Sequence, residues 1–247
     1  MLKFSRGNAK LDKLEKKIKG QVWTFSLLSG HSCPYAKDCH SRAIESPSGK
    51  LSVQDGPHTQ FRCFSASQEA FFKNVYTNRR HNFEIIKYFL AEIDGVNKLA
   101  TAIVGQIPKK CRAMRIHVGG DFFAQLYFDA WLAAAKLRPD IVFYAYTKSL
   151  PFWVKRLSDI PANFVLTASY GGYKDELIAK YNLRYAKVVF SNYEAKKLKL
   201  PIDHDDSHAY KPGNSFALLV HGVQPKGSKA RKAMDKMGGL GGKSSYQ

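Results

Sequence analysis

The sequence predicts an α/β domain: a partial (β/α)6 barrel or an open parallel sheet, with a long cysteine-bearing loop after the first strand. Three observations lead there. Strand-like and helix-like segments alternate along the chain, and from Arg115 onward a β-then-α unit recurs every 22–27 residues or so. The strand-like runs are short and almost wholly apolar, as expected of strands covered by helices. Of the 247 residues, 45% are hydrophobic and 24% charged, a composition that excludes wholesale disorder.

The elements follow in order. Residues 8–19 place Leu11, Leu14 and Ile18 at helical spacing and predict a short basic helix. Residues 22–28 (VWTFSLL) predict the first strand. A long helix, open to a break, is expected over 65–90, with Phe71, Val75, Phe83, Ile86 and Leu90 as its apolar points, and a further helix over 97–106. Strands are then expected at 115–118, 141–146, 164–168, 186–190 and 216–220. Helices are expected at 124–137, 151–157, 174–181 and 193–198. In such a sheet, ligands collect beyond the carboxyl ends of the strands. The loops there are Ser29–Cys33, Gly119-Gly120-Asp121, Thr147-Lys148-Ser149, Ser169–Gly172 and Ser191–Tyr193.

The formal charge is +19. It is concentrated at the ends, which divide the chain into a basic segment over 1–20, a single domain over 21–223 and a flexible basic tail over 224–247. Two readings of the ends stand side by side: solvated tails, or contacts to an anionic partner such as nucleic acid. No apolar run approaches the ~18 residues of a membrane helix, and the first residues lack the apolar stretch of a signal peptide. A cytoplasmic protein without a membrane partner is expected.

Four cysteines are present. Cys33 and Cys39 lie in GHSCPYAKDCHSRA, and Cys63 lies in QFRCFSAS. All three fall between the first strand and the first long helix, in a loop that also holds Pro34, Pro47, Gly49, Gly56 and Pro57. Long loops in compact domains are usually functional or held by something. Three thiolates suit a [4Fe-4S] cluster with one open iron, or a zinc site completed by His31, His40 or His58. Three unlinked thiols acting as small hydrophobes are the alternative. Cys111 precedes the second strand, at the opposite end of the sheet, and is expected to be structural.

If a cluster is present, Gly119 and Gly120 allow close backbone approach and Asp121 offers a carboxylate to an ammonium group. Thr147 and Lys148 line the neighbouring loop, and Lys148 or Arg62 can neutralise a carboxylate or phosphate. Arg79, Arg80 and His81 form a basic cluster. Basic residues beside aromatic ones suit single-stranded nucleic acid, although packing explains most such aromatics. The run Asp203-His204-Asp205-Asp206-Ser207-His208 suits a divalent ion of a metal-dependent nuclease, or a loop whose acids cap backbone and pair with lysines. Neither a phosphate-binding Walker loop nor a G-x-S-x-G motif is present.

The runs GNAKL, FSLLSGHSCP, DGPHTQFRCFSASQEA, RIHVGGDFFAQLYFDAW, FYAYTKSLPFW, NFVLTASYGG and IDHDDSHAY resemble the tailed-phage family called gene product eighty-eight, over residues 8–210. The resemblance implies a phage or prophage origin and a place in the host cytoplasm, and picks out Cys33, Cys39 and Cys63 but not Cys111. More distantly, the chain is similar to radical S-adenosylmethionine enzymes. These set a three-cysteine loop after the first strand of a partial barrel and a Gly-Gly-acid motif after the second. That likeness implies S-adenosylmethionine as a cofactor, near Gly119, Gly120 and Asp121. The family spacing is C-x3-C-x2-C; here it is C-x5-C with a distant third cysteine.

Overall fold

A computed structural model describes residues 1–7 and 9–238 of the chain. It is a mixed α/β fold built on a mostly parallel seven-stranded sheet. The amino-terminal part comprises β1 (Phe4–Arg6), α1 (Ala9–Ile18) and β2 (Gln21–Phe25). A separate hairpin follows, β3 (Ser41–Glu45) with β4 (Leu51–Asp55), and then three helices: α2 (Phe64–Phe71), α3 (Lys73–Ala91) and α4 (Gly95–Gln106). The repeating part is β5 (Cys111–Ile116), α5 (Gln125–Leu137), β6 (Val142–Thr147), α6 (Leu150–Val154), β7 (Phe164–Ser169), α7 (Glu176–Lys180), β8 (Tyr185–Val189) and α8 (Asn192–Lys197). The chain ends with α9 (Ser207–Tyr210), β9 (Phe216–Leu219) and α10 (Lys229–Lys236).

The strands stand in the order β1-β2-β5-β6-β7-β8-β9. β1 runs antiparallel to β2, pairing Phe4 with Phe25, and every other neighbour is parallel. From β2 onward, sheet order equals chain order, so the crossovers all step in one direction. Right-handed crossovers then put helices α4 to α8 on one face.

The pleat separates two cores, because successive residues point to opposite faces. Phe143, Ala145, Phe164 and Leu166 face the helices and meet Leu99, Ile103, Phe128 and Trp131 in the larger core. Their neighbours Tyr144 and Val165 point the other way, with Val22, Ala113, Ala186 and Phe216. That second face is covered by Leu11 and Leu14 of α1 and Ala209 of α9, each at most 1% exposed.

The alternation predicted from sequence is present, with boundaries displaced by a few residues. The expected six strands become seven in the main sheet. β1 escaped notice because three residues, FSR, are too short to show a period. The cysteine-bearing loop is not irregular throughout: it carries β3 and β4, paired from Ser41–Asp55 to Glu45–Leu51. The long helix expected over 65–90 is broken at Phe72, whose extended backbone (φ −121°, ψ 97°) ends α2 and starts α3.

Both basic ends take part in packing. Lys10 is buried and pairs with Asp206 at 2.7 Å and Asp203 at 3.5 Å. Within the segment expected to be a flexible tail, the Gln224 side chain accepts from Arg62 N (2.7 Å) and donates to Arg62 O (3.0 Å). In α10, Ala230 and Met234 are buried beside Val220, Phe61 and Phe190. Residues 239–247 of that expected tail, and residue 8 of the expected first helix, lie outside the described residues.

Candidate metal and cofactor site

Cys33 and Cys39 follow β2, and Cys63 occupies the N-cap position of α2. The loop that carries the first two is held to the carboxyl end of β7. Lys37 and Asp38 donate backbone N–H groups to Gly171 O (3.3 and 2.9 Å), and Tyr173 N donates to Tyr35 O at 2.9 Å. Gly171 has φ +96°, and a Cβ there would come within 2.9 Å of Asp38 Oδ2, so this contact requires glycine. The segment leading to Cys63 is tied to the same loop, since Gln60 N and Phe61 N both donate to Asp38 O (2.7 and 3.1 Å). Gly30, at φ +73°, turns the chain against Ser41, and its N–H donates to Cys33 Sγ at 3.3 Å.

The three thiols share one electrostatic environment. Burial pushes the Cys33 thiol well above the usual thiol range, and nearby Asp121, Cys63 and Cys39 push it further. Cys39 is raised, again mainly by burial; the Lys148 ammonium opposes the shift. Cys63 is pushed up to about 12 by burial and by Cys39, against the N–H groups of Ala66 and Ser65 in the first turn of α2. All three remain partly exposed. Left to themselves they are protonated thiols at neutral pH, poor nucleophiles. Cys111 stands apart, buried at the start of β5, where its Sγ donates to Ala113 O at 3.3 Å.

Asp121 lies after β5 as expected, and its carboxylate is already engaged. Oδ1 accepts from Thr147 Oγ1 (2.6 Å) and Phe122 N (2.8 Å), and Oδ2 accepts from Lys148 N (2.8 Å). Burial raises its pKa to about 6 despite these bonds. Thr147 and Lys148 thus join Asp121 in one network. The Lys148 ammonium bonds Ser169 O, Ser169 Oγ and Tyr170 O at 2.8–3.0 Å, so it bridges the ends of β6 and β7. The two glycines do approach other atoms closely, but those atoms belong to the chain. A Cβ at Gly119 would lie 2.2 Å from Ser65 Oγ, and one at Gly120 2.6 Å from Ser32 Oγ.

The other residues singled out by sequence are placed as follows. His31 Nε2 lies 3.0 Å from Ala43 O, and His40 Nε2 lies 3.3 Å from Gly30 O. The His58 ring meets the edge of Tyr173 at 6.2 Å. Arg62 pairs with Asp55 at 2.5 Å. Among the described residues, no group of three or more His, Cys, Asp or Glu side chains is drawn together as a site for a metal ion.

The Asp203–His208 segment lies on the α1-covered face of the sheet. Asp203 Oδ2 accepts from Asp206 N (2.9 Å), and Asp203 Oδ1 lies 3.0 Å from His208 Nδ1. Asp205 pairs with Lys17 at 2.5 Å. Asp206 takes Lys10 and Arg115 at 2.7 Å each, plus the hydroxyls of Tyr144 (3.2 Å) and Tyr146 (3.1 Å). Arg115 and Lys10 hold its carboxyl down to about 2 in spite of burial. These acids meet cations and backbone donors, the arrangement expected of capping and pairing.

Two features were not legible beforehand. Arg79, read as part of a basic cluster, is buried and pairs with the fully buried Glu69 at 2.8 Å. Glu69 also accepts from Ser29 N and Ser29 Oγ, linking α2, α3 and the loop after β2. His117 follows β5 with φ +67°; Nε2 lies 2.9 Å from Tyr127 OH, and buried Nδ1 has no hydrogen-bond partner among the described residues. The only hint was a histidine inside the strand-like run RIHV.

Burial lowers the His117 pKa to about 3. The unfolded chain therefore takes up this proton near pH 6.5, whereas the folded chain does not. Stability is complete above pH 6.5 and falls as pH drops towards 3, by about 1.4 kcal/mol per unit from this group. His117→Asn, suited to positive φ, is expected to flatten the acid limb of urea midpoint against pH by that amount. An unchanged slope would contradict this.

The family model described as Gene product 88 matches residues 2–236. The "Gene 88 protein" of Mycobacterium phage L5 is 30% identical over 92 residues, 35% of this chain and 38% of that protein. The "Gene 88 protein" of Mycobacterium phage D29 is 28% identical over 92 residues, with the same coverage. No solved structure matches the chain. Among the described residues, no helix is long and apolar enough to cross a membrane. With nearly its whole length matched by one family model, the chain belongs to the gene product 88 family of bacteriophage proteins.

Proposed function

We propose that the protein binds a [4Fe-4S] cluster through Cys33, Cys39 and Cys63, in the host cytoplasm. The observation that carries this reading is the gathering of three thiols in one tied loop, where Cys39 and Cys63 both raise the Cys33 thiol, Cys39 raises Cys63, and Asp121 faces Cys33 and Cys39. Thiols raised by burial and by neighbouring negative groups are costly as bare thiolates, and a cationic metal centre removes that cost. The donor set fits: three soft sulfurs, backbone N–H groups aimed at Cys33 and Cys63, and the Lys148 ammonium to offset negative charge. A single zinc ion, with Zn–S bonds of about 2.3 Å, needs its thiolates only about 3.8 Å apart. A cube of irons and sulfides spaces them more widely, so the cluster reading does not need a tight mononuclear grouping.

Three cysteines leave one iron without a protein thiolate, and S-adenosylmethionine is the cofactor we assign to it. Its amine and carboxylate would be the ligands, and it would supply one-electron chemistry when bound. The in-order parallel sheet, open at β1 and β9, supports the partial-barrel reading. In this proposal Asp121, Thr147 and Lys148 form a preset polar wall beside the cluster, and Gly119 and Gly120 let that wall pack against Ser65 and Ser32. Anaerobic reconstitution with ferrous iron and sulfide tests the reading. Broad visible absorption is expected in the natural chain and not in the triple variant Cys33→Ala/Cys39→Ala/Cys63→Ala. Equal spectra for the two would overturn it.

A nucleic-acid partner is the second part of the proposal. It is supported by the +19 charge and by Lys229, Lys232 and Lys236, which line one cleft and form no ion pair among the described residues.

A further inference from the structure

Beyond the carboxyl ends of β7 and β8, the surface carries a groove with a distinct composition. Its wider part is a cleft of about 720 Å³ between α8 and α10. Phe190, Tyr193, Lys229, Lys232 and Lys236 line it, and no acid does among the described residues. A smaller cleft of about 180 Å³ continues from it, sharing Phe190 and Lys229 and reaching Lys187, Tyr170 and Asp38 beside the cysteine-bearing loop.

The three lysines of α10 follow the i, i+3, i+7 pattern and therefore share a face. The opposite face is anchored by buried Ala230 and Met234, which fixes the lysines towards the cleft. They span about 10 Å of helix, the length of roughly three stacked nucleotides. None of the three forms an ion pair among the described residues, whereas Arg231 of the same helix pairs with Asp235 at 2.9 Å.

Aromatic rings alternate with these charges. The Lys229 ammonium stands 5.2 Å from the Phe190 ring centre, and Lys187 stands 4.9 Å from that of Tyr170. Tyr193 is 77% exposed at the edge of the wider cleft, which leaves it accessible to a stacking partner. Cations that track a backbone, interleaved with rings that offer flat faces, are the chemistry of single-strand recognition. A duplex hides its base faces and gives Tyr193 nothing to stack on.

We infer that this groove is a binding site for single-stranded nucleic acid, with phosphates on Lys229, Lys232 and Lys236 and a base stacked on Tyr193. The inference deepens the nucleic-acid part of the proposed function and is independent of the cluster.

The test is fluorescence anisotropy of the full chain with a labelled oligo-dT of about twelve nucleotides, across a salt series. The natural chain is expected to bind, with affinity falling steeply as salt rises. The triple variant Lys229→Gln/Lys232→Gln/Lys236→Gln keeps helix-forming residues and is expected to reduce the log–log salt slope by about 2. Tyr193→Ala is expected to weaken binding by about five- to a hundredfold, and Tyr193→Phe to restore it. Circular dichroism of each variant checks that α10 and the sheet are intact. Absence of binding at low salt would overturn both this site and the nucleic-acid reading. Binding that the variants leave unchanged would overturn the site alone. Equal affinity for duplex DNA, or equal displacement by polyglutamate, would overturn the assignment to single strands.

Discussion

Asp206→Ala is expected to destabilise the protein by about 3–5 kcal/mol, the range for removing one partner of a buried charge network. The carboxylate is fully buried and answers Lys10, Arg115 and the hydroxyls of Tyr144 and Tyr146. Its loss leaves two buried cations short of their main counter-charge. Because domain stability is of the order of 5–15 kcal/mol, the effect takes a large share of the total. It also frees α1, so proteolysis is expected to cut first near residues 1–20. Asp206→Asn keeps the shape and tolerates φ +63° but loses the charge, and is expected to recover only a minor part. The pH dependence has a definite sign. The folded pKa of about 2 lies below the unfolded value near 3.8. The contribution is therefore complete above about pH 4 and is lost as pH falls through 2. Urea midpoints measure all of this; a loss below about 1 kcal/mol for Asp206→Ala would show that the network is not a main tie of α1.

The second large effect concerns bound iron. Single replacements Cys33→Ala, Cys39→Ala and Cys63→Ala are each expected to lower iron content at least tenfold after anaerobic preparation, because a cube held by two thiolates exchanges readily. Cys111→Ala is expected to keep full iron, since its thiol bonds Ala113 O at the far end of β5. The discriminating result is the contrast among the four. Uniform retention, or uniform loss including Cys111, would point to thiols acting through stability rather than ligation.

The repeating half of the chain was readable because its strands are buried on both faces. Residues 141–146 form an unbroken run of apolar and aromatic side chains and 164–168 are interrupted only by Thr167, with Pro139 and Pro161 shortly before them, a strong local signal. The position of Asp121, Thr147 and Lys148 at strand ends followed from topology alone. The β3–β4 hairpin had a local signal as well, the alternation Leu51-Ser52-Val53-Gln54 in its second strand, after Pro47 and Gly49. The proline and glycine content of that stretch drew attention away from it.

Pairings between distant segments left no trace in the sequence. Lys10 looked like one of seven basic residues in an exposed end; only the fold places it against Asp206. Arg79 looked like surface beside Arg80, yet one helical position separates a buried ion with Glu69 from an exposed side chain. The same holds for α10: its lysines looked like a tail, and only the burial of Met234 turns them towards one cleft.

Iron and acid-labile sulfide analysis of the full chain purified without oxygen decides whether Cys33, Cys39 and Cys63 hold an iron–sulfur cluster. About four irons and four sulfides per chain are expected, in a brown protein. A colourless protein without iron, or one carrying zinc and no sulfide, would contradict the cluster assignment.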